Sequence, residues 1–574
     1  MELTTPFYLG EDIDVLQGGF LFSVRVPLSP VNEKLLGFPQ FVENANRFLK
    51  NKTATIVVQG VDMLSGILEV VESQKQEVSI RLIVNALAPL KETPLSTIDM
   101  GTLPENDLLD HANDTLLNPD DFPYIFFTVH DTIFSQEADT VREFQAKEYQ
   151  NRYVPAGFNG ISVNRRSALT PFLKLNYVIE KIFASQGYRV FNNFQNTREL
   201  QWLCLYSARN LYQLNYISIE PYSVDLQNLK LNRHVSETPA AQFIKNVCRT
   251  FGVAPFANIF EQTVSFDRLD DVIAAAPAHD WTTMELKGYK ITERDVDIES
   301  LKAAETLSNF PDFSQLPSVA TNGSAIPYND RDYIYKTPDG RDYLFENGGT
   351  ETVNDRIVRI YPDDTVNLNA KKDKVYTTPF RQVNSQLNRI RYFGKADDEY
   401  ISSGGIKFLS SVTPTLDLKS CNAEGKNVTP DALIFFRGMK SYPSPVDVQP
   451  PQYSCPLATN DIDFPFNIIN PEPVKVGFDV PNPPPQYAPV LAKHTMAWNG
   501  ENGLYNRFWK NTVDFIRTQR HVSKSVQLSV ADIRNFQFNQ KVTIGNMNYI
   551  VKKMKIVLTS QGLQPTEVDL VTCV

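Results

Sequence analysis

No stretch of this chain approaches the roughly 20 consecutive apolar residues that cross a bilayer, so it does not read as an integral membrane protein. Histidine is sparse. His111, His130, His234, His279, His494 and His521 stand apart, with no H-x-x-x-H, H-E-x-x-H or H-x-H spacing, which leaves metal catalysis without a local foothold. Cysteine is sparser still: Cys204, Cys248, Cys421, Cys455 and Cys573 are odd in number and nowhere spaced C-x-x-C, against both a disulfide framework and a zinc site. Cys204 and Cys248 sit among apolar neighbours and read as packed core thiols. A G-x-S-x-G elbow, a P-loop and a G-x-G-x-x-G fingerprint are all missing, and with them the signatures of common serine hydrolases, P-loop NTPases and Rossmann enzymes.

Weaker imitations of chemistry do not survive inspection. Asp295 to Glu299 resembles the start of a calcium loop, but Ser300 and Thr306 occupy the positions that need Gly and Glu. His279-Asp280 is a histidine beside a carboxylate, and adjacent side chains point apart. Asp270-Asp271 and Asp363-Asp364 offer paired carboxylates of the kind a glycosidase sets across a cleft, yet a chain with 66 acidic residues makes such pairs by chance. The N-x-S/T sites at Asn51, Asn113, Asn322 and Asn427 carry no weight without a secretory signal, and Met1 to Pro6 lacks the basic and apolar regions of one. The expectation is synthesis in a cytoplasm, no enzyme, and no catalytic, cofactor-binding or metal residue.

What is present is an ordinary globular composition, 42% hydrophobic and 21% charged, on 574 residues, enough for several domains. The net charge of -10 is unevenly spread: carboxylates dominate residues 1–150, and basic side chains dominate from Trp498 onward. An acidic front cannot neutralise phosphates, which disfavours sequence-specific nucleic-acid binding.

The pattern is β-rich α+β. Phe20, Phe22, Val24 and Val26, then Ala54, Ile56 and Val58, then Val78, Ile80, Leu82 and Val84 alternate as half-buried strands, with Gly60 and Gly66 as turns around Ile67 to Val71 and a short helix near Gln40 to Leu49. These make 1–103 a barrel or sandwich. Residues 104–150 read as an acidic linker carrying one strand, Tyr124 to Phe127. An α/β module over 151–290 has a helix capped at Thr170-Pro171, with Leu175, Val178, Ile179, Ile182 and Phe183 on one face and Gly187 as its stop. A second helix opens at Ser236 to Pro239 and runs to Gly252, and aromatic strands lie behind both.

Residues 291–440 read as hairpins, Asp332 to Tyr335 returning as Asp342 to Phe345, and end in the buried strand Leu433 to Phe436. Proline crowds 441–497, including Pro483-Pro484-Pro485, and predicts an extended arm that cannot join a ladder. The last unit, 498–574, combines a helix over Gly503 to Gln519 with a compact β unit. Val526, Leu528 and Val530 alternate there, Gly545-Asn546 turns, and Tyr549 to Thr559 and Glu567 to Val571 close a small barrel.

Together, Phe20-Leu21-Phe22-Ser23-Val24-Arg25-Val26-Pro27 and its continuation to Asn32, the segment Leu169 to Val178, Phe436-Arg437-Gly438-Met439, and Val542 to Lys552 resemble tail hub (baseplate hub) proteins of tailed phages and prophages of the Bacteroidota. That resemblance implies β-barrel, tube-like domains with inserted α/β modules and a homotrimer whose paired barrels mimic a six-fold tail tube. It implies a structural virion protein at the distal end of the tail. Its partners would be the tube or distal tail protein, the tape-measure protein and tip or fibre proteins, with DNA passing through an acidic lumen. Two competing readings remain: a tail-tip glycan hydrolase, supported by carboxylates and by aromatics such as Trp498 and Tyr505, and a surface glycan-binding protein, which should carry an early lipoprotein cysteine.

Overall fold

The computed structural model describes residues 2–4, 19–41, 52–85, 90–131, 149–154, 160–161, 167–214, 222–258, 261–292, 431–443, 452–460, 493–496 and 502–573, apart from one or two positions within some of these ranges, and the strands 332–336, 342–347, 356–359, 384–390 and 409–416. The chain is mixed α and β, with one sheet of 11 strands, one of eight and several small ones. The large sheet has 11 strands and draws on both end regions. Its path runs Glu285–Thr292, His521–Val526, Thr566–Cys573, Met547–Lys555, Glu2–Thr4, Gly19–Pro27, Glu77–Asn85, Val61–Ser73 and Lys52–Val58, with Lys541–Ile544 and Pro277–Asp280 as a side branch.

The expected alternation sets its register: Phe20 lies opposite Val84, Phe22 opposite Leu82, Val24 opposite Ile80 and Val26 opposite Val78, so the apolar positions of the two strands stay in step. Gly66 is not a turn; it sits inside Val61–Ser73, opposite Ala54. Gly60 and the helix expected near Gln40 to Leu49 lie outside the described residues, save for Gln40 and Phe41, which are non-helical; the helix described in this region is Pro30–Leu35, capped by the Ser29 side chain. Among the described residues no sheet closes into a barrel. Glu2–Thr4 pairs with Gly19–Pro27 on one side and with Met547–Lys555 on the other, so the strands of 1–103 and 498–574 extend one another, and among the described residues the path ends at Lys52–Val58 and Glu285–Thr292.

The largest apolar core belongs to the α/β module. The helix Leu175–Ala184 buries Leu175, Val178, Ile179, Ile182 and Phe183, the stripe expected from its spacing, and Gly187 stops it at φ +78°. Its start differs from the expected cap at Thr170-Pro171. Phe172–Leu173 first pairs as a strand with Tyr124–Ile125, and Thr170 is gripped by Asn151, which accepts its N–H at 2.7 Å and donates to its carbonyl at 2.6 Å. Two buried side chains and a ladder outweigh a local capping signal.

The segment read as an acidic linker is also part of this core as far as Val129. The helix Leu108–Leu117 buries Leu108, Ala112 and Leu116, and Tyr124 to Phe127 are buried. Its carboxylates face solvent and mask the apolar face in the sequence.

The second helix, Ala240–Phe251, ends at Gly252 in the left-handed region. Behind it Val253–Asn258 pairs antiparallel with Thr263–Arg268, which pairs parallel with Arg189–Asn192. Asp332–Lys336 and Asp342–Asn347 form the expected hairpin, its turn lying outside the described residues.

Leu433–Pro443 is a strand, buried at Leu433 to Phe436. Most of the Pro-rich arm, Pro483 to Pro485 included, lies outside the described residues. One part of it nevertheless joins a sheet: Gln452–Ala458 pairs with Leu433–Pro443, placing Pro456 opposite Met439. It is an edge strand, where a residue without an N–H is tolerated.

The C-terminal helix begins as a π turn, Tyr505–Trp509, and continues as Lys510–Thr518. In the closing unit Val526 ends a strand, but Val530 opens the helix Val530–Asn535. Ser529 and Asp532 form a reciprocal capping box there. The hairpin Lys541–Ile544 to Met547–Lys555 turns at Gly545, as expected.

Candidate functional site

Among the described residues no group of three or more His, Cys, Asp or Glu side chains is placed to hold a metal ion. The titratable residues singled out in the sequence serve local structure. His111 meets the Tyr124 hydroxyl at 2.7 Å, and His279 meets Gln540 Oε1 at 2.8 Å. Asp280 turns back to accept the N–H and hydroxyl of Thr282. Asp270 is buried and Asp271 exposed, so that pair does not face one cleft. Tyr505 lies in the core, and Cys204 and Cys248 are buried thiols, pushed up to about 12 by burial. Asp295 to Glu299, Asp363-Asp364 and Trp498 lie outside the described residues.

One arrangement resembles a nucleophile and its base. Ser207 Oγ is 3.0 Å from His234 Nδ1, and His234 Nε2 is 2.7 Å from the Asn228 carbonyl. A carbonyl only accepts, so Nε2 carries the proton and Nδ1 accepts from the serine hydroxyl. Ser207 Oγ in turn accepts the N–H of Arg209, and Gln150 donates to the Ser207 carbonyl. Both side chains are fully buried, and burial pushes the imidazole down to about 4. The hydroxyl reaches no solvent. The pair acts as a hydrogen-bonded anchor beneath the module.

A second polar node joins distant parts of the chain. Arg437, wholly buried on Leu433–Pro443, contacts Glu199 on the helix Arg198–Gln201 and donates through Nη2 to the His494 carbonyl at 2.6 Å. Glu199 also accepts the N–H groups of Lys493 and His494, and His494 Nδ1 at 2.7 Å. The Arg437 guanidinium lies 4.4 Å from the Phe435 ring. The short segment 493–496 is thereby clasped by one carboxylate, and Met496 N–H also donates to the Asn460 carbonyl. Sequence spacing gave no signal for this node, because its members come from far-apart positions.

The exposed features are of another kind. Val31, Leu35, Phe38 and Phe41 are large apolar side chains exposed on and just after Pro30–Leu35, and Phe38 and Phe41 lie with ring centroids 6.5 Å apart. The edge strand Lys52–Val58 reads Lys-Thr-Ala-Thr-Ile-Val-Val, with a single charge and no proline, and Val57 is 56% exposed. Natural edge strands are commonly blunted by charge or proline. The opposite edge, Glu285–Thr292, carries Glu285, Lys287 and Lys290 and a bulge between Leu286 and Tyr289. Lys555, one of the basic residues of the closing unit, faces Glu567 at 3.6 Å on the surface.

No protein-family model, no curated protein and no solved structure matches this chain.

Proposed function

We propose that the chain is a structural virion protein, a tail hub subunit. Copies of it form a ring at the distal end of a phage tail, close the tube, and link it to the tape-measure protein above and tip or fibre proteins below. The reading is supported by the sequence resemblance of Phe20 to Asn32, Leu169 to Val178, Phe436 to Met439 and Val542 to Lys552 to such hubs. The observation that carries it is the open sheet, whose path among the described residues ends at the sparsely charged strand Lys52–Val58, in a region that also exposes Val31 and Phe41. An edge of this composition fits strand pairing with another chain better than exposure to water.

In this reading the open sheet curls into tube-like barrels when copies associate, as a homotrimer with two barrels per subunit. The excess of carboxylates lines a lumen that repels phosphate and lets DNA pass. The role is structural rather than enzymatic.

Native mass measurement and cross-linking with the cognate tube protein test the proposal. Trimeric rings that bind the tube end are expected. A stable monomer at assembly concentrations, without affinity for tube protein, overturns it.

A further inference from the structure

The chain leaves the α/β core after Asn460 and re-enters it at the same place. Asn460 follows the strand Gln452–Ala458 and is fastened to Leu433–Pro443, the middle strand of its sheet: its side chain accepts the Phe435 N–H at 3.1 Å and donates to the Leu433 carbonyl at 2.7 Å. On the return, Glu199 accepts the N–H groups of Lys493 and His494, each at 3.0 Å, and the His494 carbonyl accepts from Arg437 of that middle strand at 2.6 Å. Met496 then donates its N–H to the Asn460 carbonyl at 3.2 Å, so the point of departure and the point of return are bonded to each other. Ala458 before the excursion and Leu504 and Phe508 after it belong to one core, and Met496 packs against that core.

The two limbs also match in sequence. Pro450-Pro451-Gln452-Tyr453 and Leu457-Ala458 recur at the same spacing as Pro484-Pro485-Gln486-Tyr487 and Leu491-Ala492. Each copy is followed, two residues on, by a residue fastened at the base, Asn460 after the first and His494 after the second. The bonded groups are out of water: Arg437 is fully buried, and Glu199, Asn460 and Thr495 nearly so. Hydrogen bonds and an ion pair in such surroundings are costly to break. The entropy of joining the ends of a loop, by contrast, grows only with the logarithm of its length.

We propose that residues 461–492 are an insertion into the α/β core, fastened at its base by Glu199, Arg437 and Asn460, and that the protein folds without the outer part of it, 461–483. The Pro-rich stretch is then not the tether between a hairpin domain and a C-terminal unit that its composition predicts. The strands Leu433–Pro443 and Gln452–Ala458 and the turn Tyr505–Trp509 belong to one structure, held together by the clasp and the core beneath it.

A deletion of 461–483 tests this, because the retained 484–492 only has to rejoin ends that already touch. A single urea transition is expected, at a midpoint equal to or above that of the parent, since a shorter loop is joined at less entropic cost. Backbone amides of Lys493, His494 and Met496 should keep their hydrogen-exchange protection to within about threefold. A lower midpoint, or loss of protection at these amides, overturns the proposal. Where the deletion variant does not fold, cleavage of the folded full chain at a protease site placed within 461–483 decides: protection at 493–496 survives the cut, or the proposal fails. In the cut protein Glu199→Gln, which keeps the size of the side chain but not its charge, should lower protection of Lys493 and His494 about tenfold while Leu175–Ala184 keeps its own. Unchanged protection in that variant means that the clasp is not the fastening, which also overturns the proposal.

Discussion

Asp270 accepts both the backbone N–H of Thr512, at 2.8 Å, and its hydroxyl, at 2.6 Å. The carboxylate thus caps the helix Lys510–Thr518 from a different element, the helix Leu269–Ala274, and Asn511 adds a longer contact. Unpaired N–H groups and the positive end of the helix dipole both favour a carboxylate there.

Asp270→Ala should therefore cost about 1–3 kcal/mol, because it leaves buried donors unpaired. Asp270→Asn keeps an acceptor oxygen and should cost less. Burial holds the carboxyl of Asp270 above its ordinary range, so its charged form is penalised at neutral pH and the penalty fades as the pH falls through the folded value. Urea unfolding of both variants at neutral pH measures the difference; equal losses would show that Thr512 does not depend on the acceptor.

His234 predicts the main acid liability of the core. Buried and neutral, with a folded value of about 4 against about 6.5 when unfolded, it contributes stability that is complete above about pH 6.5. That contribution is lost as the pH falls toward 4, a loss of about 3 kcal/mol. Charging the ring also breaks the acceptor role of Nδ1 toward Ser207. Denaturant midpoints taken across this range should fall more steeply for the unaltered protein than for His234→Asn, and parallel slopes would refute the assignment.

Gly252 and Gly545 separate conformational strain from steric conflict. Both are left-handed, at φ +55° and +66°. A Cβ on Gly252 would lie 2.4 Å from the Phe508 carbonyl oxygen, whereas one on Gly545 meets nothing within 4 Å. Gly545→Ala should cost about 1 kcal/mol from backbone strain alone. Gly252→Ala should exceed it by more than about 1 kcal/mol, since the conflict is with backbone. Thermal or urea unfolding of the two variants side by side checks the ranking.

The terminal strand Lys52–Val58 gives a prediction about association. Val57→Lys places a charge on Lys52–Val58 at a position already 56% exposed, so stability should change by less than about 0.5 kcal/mol. Ring formation should fall in native mass spectra. If the variant assembles as well as the parent, this edge is not where copies meet.

Much of the fold was readable because its periodic segments are self-sufficient. The stripe of Leu175 to Phe183, the Pro239 to Gly252 helix and the Gly545 turn follow from local spacing and glycine chemistry. What escaped depends on partners far along the chain. Phe172–Leu173 is a strand because Tyr124–Ile125 lies beside it, and Gln452–Ala458 tolerates Pro456 because only one side of it is paired. At Val530 the local signal is the capping box Ser529-x-x-Asp532, which the apolar alternation with Val526 and Leu528 conceals. The buried nodes around His234 and Glu199 had no sequence signature, since Ser207, Asn228, Arg437 and His494 meet only once the chain is folded.

The strand Glu2–Thr4 lies between Gly19–Pro27 and Met547–Lys555. On the ribosome, its second neighbour does not exist until the long stretch of chain between Thr4 and Met547 has been polymerised. The large sheet is therefore a structure of very high contact order whose two halves are joined last, after the locally wired α/β module has had time to form. While that stretch is made, the side of the early segment that Met547–Lys555 will occupy stays unclaimed, which makes translation itself the period in which this strand is most open to pairing with another chain.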